Sequence, residues 1–190
     1  MGRKLLVSCL IALIACSGCI PSLNPVYRED DLVTDSAFLG VWMQKGEKSR
    51  WEFSKRDEKS YSLKYFDVNG TESRFVAHVA KIEGELFLDL FPEPLDGQAN
   101  SFYTFHHVPI HSIYRVCRTE PTLELGAIDF QWLQEELSKA PATIESTTIH
   151  GRWLITAPTE QVRAFALNNK ERFTGKFELV RAVAPFPTER

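Results

Sequence analysis

Between Trp42 and Asp129 apolar and polar residues alternate in short runs, and turn residues separate the runs. Strand side chains point alternately to the two faces, so this period marks strands that each bury one face. Trp51-Glu52-Phe53 and Tyr61-Ser62-Leu63-Lys64-Tyr65 alternate cleanly, and residues 75–82 extend the pattern. Residues 86–91 are richer in apolar side chains, and 102–105, 113–116 and 123–125 complete the series. Breaks fall at Lys45-Gly46, Asn69-Gly70, Glu83-Gly84, Asp96-Gly97 and Glu120-Pro121. Asn69-Gly70 is the strongest hairpin signal, because both residues tolerate the positive φ of a tight turn. About eight short strands with brief connections predict an antiparallel meander. Such a meander avoids exposed edges by curling into a barrel.

The period changes after Leu125. Asp129 can cap a helix over 130–140, with Phe130, Leu133 and Leu137 on one face and Pro141 as its stop. Trp153-Leu154-Ile155 reads as a short strand. Thr156 or Thr159 opens a second helix, with Pro158 in its first turn and Val162, Phe165 and Ala166 inward. Asn168-Asn169 ends that helix, 177–180 reads as a last strand, and 184–190 as a tail. Ahead of the meander, 35–39 suits one helical turn capped by Thr34 or Asp35. The expected fold class is mainly β, an antiparallel meander closing into a barrel, with two C-terminal helices.

The N-terminal stretch speaks to location. Arg3 and Lys4 precede an apolar run over 5–15, and the small residue Ala15 precedes Cys16. A basic start, a short apolar segment and a small residue before a cut are the parts of a secretory signal. The run is shorter than the ~20 apolar residues a membrane-spanning helix needs. Leu13-Ile14-Ala15-Cys16 resembles the lipobox of bacterial lipoproteins. That resemblance implies a diacylglyceryl thioether on Cys16, cleavage before it and an acylated new N-terminus carrying chains such as palmitate. Cys19, preceded by Gly18, is the alternative; Cys16 fits better because Leu13 stands where the box prefers leucine. Ser17 after the cysteine, by analogy with enteric sorting rules, points to the outer membrane. The expected organisation is a signal peptide over 1–15, an acylated N-terminus and tether over 16–34, a barrel domain with its helices over 35–183, and a tail over 184–190. Pro21, Pro25 and the charged residues up to Asp31 suit a tether.

Cys16 and Cys19 also spell C-x-x-C, but at the edge of a targeting segment they lack the helix N-terminus or ligand shell that redox and metal chemistry needs. Cys117 is expected as a buried, inert strand thiol. A Cys19–Cys117 disulfide is compatible with an oxidising envelope, although nothing in the spacing demands it.

Gly40-Val41-Trp42 resembles the G-x-W signature of lipocalins and related calycin barrels. The resemblance implies that the tryptophan packs across the closed end of a barrel followed by a helix. Two helices and an extra strand after the barrel depart from a simple lipocalin. Asp35, Leu39, Gly40 and Trp42, together with Val108-Pro109 and His111, look like bacterial lipoproteins carrying lipocalin-like domains. That likeness brings no assigned activity.

Charge narrows the partners. The chain has 22 basic and 25 acidic residues, and removing Arg3 and Lys4 with the leader leaves 20 basic residues. No basic stripe is present, which argues against nucleic acid. His106, His107 and His111 form the one histidine cluster, but Pro109 interrupts its strand geometry and no carboxylate follows nearby, so no metal is expected. Asp89 sits among Leu86, Phe87, Leu88, Leu90 and Phe91. Buried, it could act as an acid; alternation favours a side chain facing solvent or pairing with a basic neighbour. His78 and Glu124 have the same reading. No nucleophile elbow, phosphate loop or dinucleotide fingerprint occurs, so neither a cofactor nor an enzymatic activity is expected.

Two roles remain. A barrel could hold a small hydrophobic molecule near the membrane, lined by Trp51, Phe53, Leu63, Tyr65 and Phe75. Alternatively, a filled barrel could contact another envelope protein as a structural or adaptor lipoprotein. An enclosed cavity favours the first, and a packed interior the second.

Overall fold

The computed structural model describes residues 20–93, 107–149 and 151–182. The signal stretch, Cys16, Cys19, Asp96-Gly97, the strand expected at 102–105, His106 and the tail lie outside these residues.

The alternating runs pair with their neighbours in sequence. The elements that do so are β3 (Gly40–Gln44), β4 (Arg50–Lys55), β5 (Tyr61–Phe66), β6 (Glu72–Ile82), β7 (Glu85–Pro92), β8 (His111–Arg118) and β9 (Thr122–Ala127). Each is antiparallel to the next, with pairs such as Trp42↔Trp51, Trp51↔Tyr65, Leu63↔Phe75 and Val79↔Leu88. The ring is closed by the last strand, β12 (Gly175–Arg181), which pairs with β9 through Phe177↔Leu125 and with β3 through Arg181↔Trp42. The result is a closed eight-stranded antiparallel barrel. The strand that looked like an addition after the barrel is its closure.

Three further strands leave the barrel wall at β8. One edge of β8 pairs with β9 over Arg115–Arg118 and with β1 (Ile20–Ser22) over 111–113. The other edge serves β7. From β1 the sheet continues to β11 (Arg152–Ile155), in parallel, and then to β10 (Ser146–Ile149). β2 (Leu32–Val33) pairs with β6 at Ala80 and Val79.

Both helices form where the period changes. α1 (Phe130–Lys139) is capped by Asp129, whose carboxylate accepts from the Trp132 amide at 3.0 Å. It buries Leu133 and Leu137, while Phe130, expected on the same face, is exposed. α2 (Thr159–Asn168) buries Val162, Phe165 and Ala166, with Pro158 at its N-cap.

Two apolar layers result. Inside the barrel lie Phe38, Trp42, Trp51, Phe53, Tyr61, Leu63, Leu88, Leu125 and Leu179. Outside it, Ile82, Phe87 and Ile113 meet Leu133 and Leu137 of α1, Val162 and Phe165 of α2, and Ile20 and Val26 of the N-terminal segment. Residues 86–91 look so apolar because both faces of β7 are covered: Leu88 and Leu90 point in, and Phe87 packs under the helices.

The tether reading of 16–34 requires correction from Ile20 onward. Residues 20–32 form a strap across the outside of the barrel, and Val33 packs against the interior layer. Ile20 and Val26 are fully buried, and the Leu23 amide donates to Ile155 O at 2.9 Å. Asn24 Nδ2 donates to Ala157 O at 2.9 Å. Asp31 pairs with Arg163 of α2, and Arg28 with Glu160. The prolines here shape a docked segment.

Candidate functional site

The G-x-W residues build the closed end. Gly40 has φ +118°, a backbone region that disfavours any Cβ, and a Cβ there would meet Arg181 Nη1 at 3.1 Å. This turn brings in the 3-10 turn Ser36–Phe38, capped by Asp35 through the Ala37 amide at 2.8 Å. Trp42 is fully buried and its Nε1 donates to Phe38 O at 2.8 Å. From β12, the Arg181 guanidinium lies 4.4 Å from the Trp42 ring centroid and donates to Leu39 O and Ala37 O. Tyr61 completes the plug: its hydroxyl accepts from the Asp35 amide at 2.6 Å and donates to Asp35 O at 3.0 Å. Sequence reasoning identified Trp42 and missed Arg181. Nothing local in 175–181 announces a partner so distant in the chain.

All five side chains expected to line the interior do point inward. Trp51, Phe53 and Leu63 are only 5%, 3% and 1% exposed. Tyr65 and Phe75 are partly buried against them. Register pairs Phe53 with Leu63 and Leu63 with Phe75, and pairs Trp51 with Tyr65. Trp51 and Tyr65 lie toward the β3–β4 and β5–β6 turns, the end away from Gly40 and Tyr61, where they gather with Tyr114 and Phe177. There the ring of Trp51 stands 5.4 Å from Tyr65 and 6.4 Å from both Tyr114 and Phe177. Tyr114 and Phe177 meet edge to face at 5.8 Å. Burial pushes the Tyr65 hydroxyl pKa up, with Asp67 and Glu47 adding to the effect. One polar atom in this cluster is unsatisfied: Trp51 Nε1 is buried without a hydrogen-bond acceptor.

A polar cluster lies on the outer face beneath the strap. Asp89 is fully buried, so its expected solvent-facing position is wrong, while the basic partner is present: His111 Nδ1 lies 2.6 Å from Asp89 Oδ1. The second carboxylate oxygen accepts from the Val26 amide at 3.0 Å. His78, opposite Asp89 across the β6–β7 pair, places Nδ1 3.1 Å from the Tyr27 hydroxyl. Burial holds His78 below the usual histidine range, although Asp89, Asp57 and Glu29 pull the other way. Burial first, then Asp89 and Glu29, raises Tyr27. These contacts give each side chain a role in seating the strap. The histidine cluster is thereby divided: His111 is buried on Asp89 and His107 is exposed. Among the described residues no group of three or more His, Cys, Asp or Glu side chains is placed to hold a metal.

Glu124, only 18% exposed, pairs with the basic neighbour Arg118 at 2.7 Å. Cys117, expected to be buried, is exposed, because the bulge between Val116 and Arg118 turns it out of the wall. Partial desolvation of its sulfur still raises the thiol pKa.

Fold and interior define the class, a closed eight-stranded antiparallel barrel plugged at one end by a buried G-x-W tryptophan. Comparison with family models, curated proteins and solved structures gives no match for this chain.

Proposed function

We propose that this chain is a lipid-anchored protein of the bacterial cell envelope whose filled barrel works by contact with another envelope protein. The anchor rests on Leu13-Ile14-Ala15-Cys16 and the basic, apolar stretch before it. The observation that supports the contact role is the close burial of the inward side chains against one another. Trp42, Phe38, Tyr61, Leu63, Leu88 and Leu125 are each no more than 2% exposed. Inward positions of an eight-stranded barrel either fill the space or surround one small ligand, and here the rings contact one another. The surface then carries the function. The half-covered rings of Tyr65, Phe75 and Phe177 offer the aromatic chemistry that protein interfaces favour. The reading assigns no covalent chemistry to the chain.

One observation favours a second reading, in which a small hydrophobic molecule binds at the ring-lined end. An acceptor atom on that molecule would satisfy Trp51 Nε1. Titration with fatty acids and phospholipids, read by tryptophan fluorescence, separates the two. The contact reading expects no saturable change. A saturable change lost in Trp51→Phe, with the fold intact by circular dichroism, would move the assignment to a ligand-binding barrel.

A further inference from the structure

We infer that the β10–β11 hairpin, through Ile149 and Arg152, rests on the phospholipid surface that holds the chain, an inference that depends on the lipid-anchor reading above. The anchor lies within short reach of the fold. Ile20 is already paired in the sheet, and Cys16 lies four residues before it. Four Cα steps span at most roughly 14 Å, so an acylated Cys16 keeps Ile20 within that distance of the anchor. Acylation at Cys19 would hold it closer still.

Strand direction brings the hairpin to the same side. β1 runs parallel to β11 with Ser22 opposite Ile155. Two residues back along both strands, Ile20 is level with Trp153, and the hairpin turn follows one residue further. Adjacent strands lie ~4.8 Å apart, so the tip stands roughly 5–10 Å to the side of the point where the chain leaves toward its anchor.

The side chains at this end of the hairpin have the matching chemistry. Ile149 is 50% exposed and pairs directly with the exposed Arg152. Trp153, the next residue along, pairs with Thr148, points to the other face of the hairpin and is partly buried against the outer core. No Asp or Glu occurs between Glu145 and Glu160. An exposed apolar side chain and an arginine, with no carboxylate in the surrounding sequence, suit a headgroup layer containing anionic lipid, and Trp153 is close enough to report contact with it. Strand direction then aims the ring-lined end of the barrel away from the bilayer, where a partner can reach it.

The test uses the full-length protein, purified from membranes and reconstituted into phosphatidylethanolamine–phosphatidylglycerol vesicles carrying bromine high on the acyl chains. Wild type, Trp153→Phe and Ile149→Glu are compared, with the N-terminal peptide of each sample weighed by mass spectrometry. The expected result is quenching of the wild type, loss of most of it in Trp153→Phe, and a marked loss in Ile149→Glu with an unchanged circular dichroism spectrum. Equal quenching of wild type and Trp153→Phe in acylated protein would overturn the inference while leaving the anchor in place. Unacylated Cys16 and Cys19 would overturn the anchor reading and the inference with it.

Discussion

Trp42 shows how one side chain organises an end of the barrel. Its ring fills the closed end, its Nε1 binds Phe38 O, and Arg181 covers its outer face. Replacing Trp42 with Ala should cost about 3–5 kcal/mol in urea unfolding, as for other large core rings. A cost below ~0.5 kcal/mol would contradict its burial. Asp89 is the polar counterpart. Alternation correctly set it on the face opposite Leu88 and Leu90, but its cover arrives from Val26, 63 positions away, which no local pattern reveals. Asp89→Ala strands His111 and the Val26 amide, and about 3 kcal/mol should be lost. His78 gives a pH dependence. Its folded pKa lies below its unfolded value, so the unfolded chain binds more protons. His78 therefore contributes stability above about pH 6.5 that is lost as pH falls through its folded value. The urea midpoint should drop between pH 7.5 and 5.5, and His78→Gln should flatten that drop. An equal drop in the variant would assign it to other groups.

Among the elements, the strap was the hardest to read. Pro21, Pro25 and the charged run through Asp31 have the composition of a linker, while the partners that dock them, Ile113, Ile155 and Arg163, lie far along the chain. β10 was missed because Ser146-Thr147-Thr148-Ile149 carries no alternation, having one strand neighbour and an exposed surface. The strands from β3 to β9 and both helices were legible, since each has its own period and punctuation. The closing strand was seen but not its place, because pairing between β12 and β3 is a matter of long-range closure. The strap–α2 clasp makes its own prediction. Asp31 and Arg163 are 15% and 13% exposed, and Arg163→Ala leaves a mostly buried carboxylate unpaired. A loss of about 1–3 kcal/mol is expected, with faster amide hydrogen exchange confined at first to residues 23–33. Exchange unchanged there would mean that β1 and β2 hold the strap alone.

At the scale of the molecule, two cores share one wall: strands β6, β7 and β8 face rings and leucines inside and the helices and strap outside. The inward set Trp51, Phe53, Leu63, Tyr65 and Phe75 was readable from alternation. Whether it surrounds space was not, because the same inward apolar pattern lines a cavity or fills one. Packing depends on how side chains from eight strands meet, and only the folded barrel brings Trp51 against Tyr114 and Phe177. The central claim is that this interior is filled by the chain itself and leaves function to the surface. Native mass spectrometry of the protein, released from its membrane into a mild volatile buffer, tests that claim most directly. The account predicts a mass equal to the chain plus its N-terminal acyl groups. A further small apolar molecule retained one per chain, and lost in Trp51→Phe, would contradict it.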